Sequence, residues 1–407
     1  MQKVKADIDC LRKNLILFVS VTILCFFLAE TTIRLLGEYD VDGEFMFMGH
    51  RVRPYRLPHK SLKELVIRYD SLNDSHIAHH PLLGWSIANN TCYWLGDCSN
   101  SIGIRSPREF ELNKSEDTLR IELFGDSFVY GADVTFEQTW GYRLEKKVSR
   151  DFNVEVMNFG VGGYGNDQAY LRWKIIGKKY RPDIVLIGFQ EENCIRNRNV
   201  IRKFLFKNTL MPFSKPRFIL SNSSLKLVNY PPLHYSKVPD TVKNFDESPL
   251  VEYEHYYNPD DYSTRNPLFY SKLASTLITV AEKNTRFKWS AEAEDVKHEL
   301  CYAILKKFVE EASEESDVYI IHIPTYPGLV NKMNSGAVEY EQLLNRLKKE
   351  VRLIDPTDRL IDEVERTTIE SLFEEEYKWH YSNKSNAILA EVVYDSIINE
   401  SKRIIET

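Results

Sequence analysis

Residues 119–133 read LRIELFGDSFVYGAD. Leu119–Phe124 alternates apolar and polar positions and then closes on an apolar pair, the pattern of a strand buried on at least one face. Gly125-Asp126-Ser127 breaks that pattern. A small turn with a hydroxyl at the C-terminal end of a buried strand is where open α/β sheets place ligands and chemistry. A Ser there also serves to cap the next helix. What the rest of the chain brings to the same edge decides between the two roles.

Three further runs read as strands: VEVMNFG (154–160), DIVLIGF (183–189) and DVYIIHIP (317–324). Helical patterns lie between or before them, at Glu137–Arg150, Asp167–Tyr180 and Asp295–Ser313. Strands alternating with helices predict a parallel sheet covered on both faces, a three-layer doubly wound α/β fold. That domain is expected over 118–407, with a large insertion at about 197–292. Within the insertion, RFILSNSSLKLVNYPP (217–232) reads as a hairpin, and 258–283 as a loop followed by a helix. Residues 37–117 are mixed and polar and are expected to wrap the domain in short strands and turns.

The chain has 407 residues, 43% hydrophobic and 28% charged, so a packed core is expected rather than global disorder. A net charge of −6 argues against a nucleic-acid partner. The six cysteines include no CxxC pair, which argues against a zinc ribbon. Cys92 and Cys98 close a short loop, CYWLGDC: a disulfide in an oxidising compartment, two thiols otherwise. His79-His80 has no further ligand at metal spacing, and neither a metal nor a cofactor is expected.

The N-terminal run NLILFVSVTILCFFLAETTIRLLG starts at Asn14, and Leu15–Ala29 carries no charge. Residues 15–36 as a helix span about 33 Å, enough for a bilayer. Lys3, Lys5, Arg12 and Lys13 precede it. The positive-inside bias then keeps residues 1–14 cytoplasmic and everything after about Gly37 outside. A cleaved signal peptide is the rival reading, but FLAETT lacks a clean small-x-small site. Glu30 and Arg34, at i and i+4, are expected to pair on one face.

Several chain segments end in polar groups that suit acyl transfer. After the second strand, NFGVGGYGNDQ (158–168) carries Gly160, Gly162, Gly163 and Gly165, whose spacing is not that of a dinucleotide fingerprint. Such a turn aims backbone N–H groups outward. The third strand runs into GFQEENCIRN, with Asn193 past the sheet edge. His380 precedes a polar turn and an amphipathic helix from about Lys384 to Ile398. A hydroxyl, an imidazole and amide donors are the parts an acyl-enzyme mechanism needs.

At these residues the chain resembles the SGNH/GDSL hydrolases over roughly 119–398. FGDSFVYG looks like their first block, which implies Ser127 as nucleophile with Gly125 and Asp126 supporting the turn. NFGVGGYG looks like the second, with Gly163 as an oxyanion donor; Asn193 matches the third-block donor and His380 the base. HHPLLGW, IGIRS and AETTIRLL are similar to membrane-anchored bacterial members. The resemblance implies a flavodoxin-like fold and an extracytoplasmic serine esterase or O-acyltransferase, single-pass with its N-terminus inside. It also implies acylated carbohydrate or a small ester as substrate, and a multispanning acyltransferase as partner.

Two positions depart from the pattern. Asn193 is followed by Cys194, where the family has Asp. The residues two and three before His380 are Lys378 and Tyr377, where the family has an Asp. Glu376 is then the expected acid partner of the imidazole. The alternatives are a Ser-His dyad oriented by a backbone carbonyl, and an impaired site serving as a polysaccharide-binding or assembly module.

Overall fold

Four apolar-rich segments each form a strand whose two sides enter different cores. The computed structural model describes residues 2–72, 76–92, 97–222, 224–286, 290–374 and 380–405. Strands β1 (Thr118–Phe124), β2 (Asn153–Asn158), β3 (Ile184–Phe189), β4 (Asp317–His322) and β5 (Leu353–Ile354) form one sheet in the order β5-β4-β3-β1-β2. All its pairings are parallel. Val185, Ile187 and Phe189 of β3 face one core; Ile184 and Leu186 face the other. The helices Asn166–Ile175, Ser290–Ala312 and Glu341–Glu350 contribute to the first core. Trp140–Val148, Thr357–Arg366 and Asn383–Ile405 contribute to the second. This is the expected three-layer doubly wound fold.

The strand order reverses direction at β1, which has β2 on one side and β3 on the other. The C-terminal ends of β1 and β3 therefore flank the crevice where folds of this class bind ligands. Ser127 follows the first of these ends.

The chain forms two compact units, one of Met1–Leu65, Pro239–Val251 and Tyr257–Ala293, the other of Val66–Val238, Glu252–Tyr256 and Glu294–Thr407. The expected insertion divides between them. The sheet lies in the second unit, together with the hairpin Arg217–Ser221/Ser224–Val228, which is antiparallel as its alternation predicts. In the first unit, the helix Gln2–Leu36 contains a 26-residue stretch, Leu11–Leu36, long and apolar enough to cross a membrane. Arg34 Nε bonds Glu30 Oε1 at 2.5 Å, as the spacing predicts. Glu30 also accepts the N–H groups of Lys272 (3.0 Å) and Leu273 (2.7 Å), at the start of the helix Lys272–Arg286. It supplies the acceptor that a helix N-terminus lacks.

Two disulfides join residues of the second unit. Cys92–Cys98 is bonded, and Cys194–Cys301 links the helix Glu191–Arg196 to Ser290–Ala312 across 107 residues. Closing so long a loop restricts the unfolded chain, and such a bond contributes about 2–4 kcal/mol. Replacing Cys194 and Cys301 together by Ala is expected to lower stability by that amount, measured by denaturant titration of the oxidised protein.

Glu122 sits on β1, fully buried, and neither carboxylate oxygen has a hydrogen-bond partner among the described residues. Burial pushes its pKa well above the ordinary carboxylate value, with Arg120 opposing. The folded state thus keeps a proton that the unfolded state loses above its ordinary carboxylate pKa. Stability falls as pH rises through that window, by up to about 1.4 kcal/mol per pH unit. Glu122→Gln is expected to remove this slope; denaturation of both proteins at a series of pH values rising from the ordinary carboxylate range measures it.

Candidate active site

The turn after β1 is built around Asp126. Its Oδ1 accepts the Phe128 N–H at 3.0 Å and caps the short helix Ser127–Tyr130. Its Oδ2 accepts from Gln190 Nε2 (2.8 Å), Asn193 Nδ2 (2.9 Å) and Arg196 Nη1 (2.9 Å). A buried carboxylate needs such donors. They tie the end of β3 to the Ser127 turn. Gly125 is required here by close approach: a Cβ at this position would lie 2.4 Å from Val129 Cγ2.

His380 reaches this turn from the other end of the chain. Its peptide is held by the bridge Phe373–Tyr381 and by Glu374 N–H donating to His380 O at 3.0 Å. Tyr381 Oη donates to Pro324 O (2.8 Å), and Asn386 Nδ2 donates to Tyr381 O (3.0 Å). The Phe128 ring meets the imidazole edge-on, centroids 5.3 Å apart. So held, His380 Nε2 lies 2.8 Å from Ser127 Oγ.

The other ring nitrogen, Nδ1, bonds Asp133 Oδ2. Asp133 ends the stretch LRIELFGDSFVYGAD, and it takes the place beside the imidazole expected for Glu376. Glu376 itself lies outside the described residues. The hydrogen bond from His380 pulls the Asp133 pKa below the ordinary carboxylate value; burial opposes this, and the charges of His380 and Arg105 add to it. Arg105, from the IGIRS motif, clamps the same turn by donating to Tyr130 O (3.0 Å) and Val134 O (2.7 Å). Asp133 has φ of +66°, a left-handed conformation that Asp and Asn tolerate better than other side chains. With Nδ1–H donated to a carboxylate, Nε2 is the acceptor for the Ser127 hydroxyl.

A cavity of about 820 Å³ opens over these groups, lined among others by Ser127, Gly162, Gly163, Gln190, Arg202 and His380. Gly163 has φ of +78°. Neither its N–H nor that of Ser127 donates to a protein acceptor among the described residues. Asn193 does not line the cavity; its amide donates to Asp126 Oδ2 and to Tyr164 O at 3.2 Å. This corrects the expected oxyanion role. Asn193 is the third residue of the helix Glu191–Arg196, and its Oδ1 accepts the Gln190 N–H at 2.9 Å. The residue directly after β3, Gln190, is among the residues lining the cavity, but its amide is engaged as well: Nε2 donates to Asp126 Oδ2 and Oε1 accepts the Glu192 N–H at 2.8 Å. The insertion supplies Arg202, Phe206 and Met211 to the wall, and the wrapping segment supplies His76, Ile77 and Ile87.

No protein-family model matches the sequence, and no curated protein matches it. Among solved structures, the chain is similar to a lipolytic protein of the G-D-S-L family from Veillonella parvula, at 13% identity over 68% of this chain and 97% of that one, TM-score 0.35. It is similar to the acetyl xylan esterase AlAXEase at 12% identity over 69% and 100%, TM-score 0.37. A lipase/acylhydrolase from Enterococcus faecalis matches at 11% over 69% and 96%, TM-score 0.37.

Proposed function

We propose that the chain is a serine esterase or O-acyltransferase that forms an acyl-enzyme at Ser127. The observation that supports this most is the unbroken chain Asp133–His380–Ser127, with 2.8 Å between His380 Nε2 and Ser127 Oγ. In this reading His380 takes the Ser127 proton as Oγ attacks an ester carbonyl. Asp133 holds the ring tautomer and stabilises the imidazolium. The N–H groups of Ser127 and Gly163 are the donors for the oxyanion, each worth about 3 kcal/mol in transition-state stabilisation. His380 then returns the proton to the departing alcohol. Water or a sugar hydroxyl resolves the acyl-enzyme, giving hydrolysis or transfer. The acid beside His380 favours this reading over an impaired binding module, which would need an imidazole without one.

The apolar N-terminal helix serves in this account as a single-pass anchor with the N-terminus inside. Two disulfides in the second unit suit an oxidising, extracytoplasmic setting. The substrate is an O-acyl ester of a carbohydrate, and a multispanning acyltransferase would be the source of acyl groups. Full-length protein in detergent is expected to hydrolyse p-nitrophenyl acetate and to be labelled by a fluorophosphonate at Ser127. Folded protein that does neither would leave the site without chemistry.

A further inference from the structure

Arg202 enters the same cavity without an ion-pair partner among the described residues. The neighbouring cation, Arg196, is matched by Asp126 at 2.9 Å and by Glu192. Of the other acids along the wall, Glu191 pairs with Lys297 at 2.8 Å, and Glu339 is exposed at the rim. Arg202 uses Nε on Thr209 Oγ1 (3.2 Å) and Nη1 on Gly163 O (3.3 Å). A guanidinium has five N–H donors, so most of its capacity is unspent.

The group is also pre-positioned. Its guanidinium lies over the Phe206 ring at 4.7 Å and the Trp85 ring at 5.3 Å. Trp85 in turn donates Nε1–H to Gly162 O at 3.1 Å. A Cβ built on Gly163 would lie 2.7 Å from both Nη1 and Nη2, so the cation sits directly against the oxyanion glycine. Burial and the nearby Arg196 lower its pKa to about 9, with Glu192 opposing. A cation held in this way is destabilised until an anion joins it.

We propose that Arg202 binds an anionic group of the substrate, a carboxylate or a phosphate, within the pocket that holds Ser127. A planar fork of N–H donors matches either oxyanion in two-point fashion. The identification of the anion's bearer as an acylated substrate rests on the esterase reading; the anion site itself is measurable without turnover. The class of glycan that fits is one carrying uronic acid or phosphate substituents beside its acyl esters.

The test uses full-length protein in detergent and measures affinity for glucuronate, glucose 6-phosphate and glucose by calorimetry. At least one of the two anions is expected to bind about tenfold or more tighter than glucose, a difference of about 1.4 kcal/mol. Which anion wins identifies the source of the charge. The preference is expected to vanish in Arg202→Gln, to survive in part in Arg202→Lys, and to weaken with salt in the wild type. Equal affinity for all three sugars in the wild type, or an undiminished preference in folded Arg202→Gln, overturns the proposal. Should Arg202→Gln not fold, an anion preference that ignores salt in the wild type does the same. Hydrolysis of p-nitrophenyl acetate by the same preparation reports on the esterase reading separately: its absence beside a clear anion preference sinks that reading and leaves the anion site standing.

Discussion

Ser127→Ala is expected to lower ester turnover by about 10⁵–10⁶-fold while leaving the fold unchanged. The side chain contributes little to packing: its Oγ is the donor to His380, while the backbone around it is organised by Asp126 and by the cap on Phe128. Removing Oγ deletes the nucleophile and nothing that the sheet depends on. The residual rate would come from the backbone donors acting on bound ester and water. Turnover of p-nitrophenyl acetate and near-ultraviolet circular dichroism, measured on one preparation, separate loss of chemistry from loss of structure. A loss of less than about tenfold would mean that another group attacks the ester.

Asp133→Asn carries the second largest expected effect, a fall in turnover of about 10³–10⁴-fold. Asn is nearly the same size and accepts the left-handed backbone that Asp133 adopts, with φ of +66°. Strain therefore does not explain a loss. The amide would present either an N–H or a neutral oxygen to His380 Nδ1, so it would no longer favour the productive tautomer or the charged ring. Substrate affinity is expected to change far less than kcat, because Asp133 faces the imidazole and does not line the cavity. Glu376→Gln provides the comparison, since the sequence reading placed the acid there. If Glu376→Gln disables the enzyme while Asp133→Asn leaves it active, the assignment of the acid is wrong.

The site was legible in the sequence where a residue follows a strong strand pattern or matches a block motif. Ser127, Gly163 and His380 are of that kind, and the structure brings all three to one cavity. Asp133 was not legible because its partner lies 247 positions away in sequence, and no local period links them. Its signal was only its place in LRIELFGDSFVYGAD, shortly after Ser127. Gln190 was within reach: DIVLIGF ends at Phe189, and the next side chain must stand at the sheet edge. Asn193, three residues on, falls inside a helix and turns to cap Gln190 instead.

The fold followed the same rule. Four strands with clear apolar runs were readable, whereas β5 has two residues and shows no period. The pairing of Cys194 with Cys301 was hidden by the 107 residues between them, while Cys92 and Cys98 advertise themselves by proximity. Arg105 had only a motif, IGIRS, and no visible purpose; its donors to Tyr130 O and Val134 O show that it shapes the turn holding Asp133.

The most direct measurement is a rapid quench of the full-length protein with p-nitrophenyl acetate, followed by peptide mapping for a covalent acetyl group. Acetyl on the peptide containing Ser127, absent from Ser127→Ala and slow to form in Asp133→Asn, is the expected outcome. Folded protein that releases p-nitrophenol with no acetyl on Ser127, or with the acetyl on another residue, would contradict it.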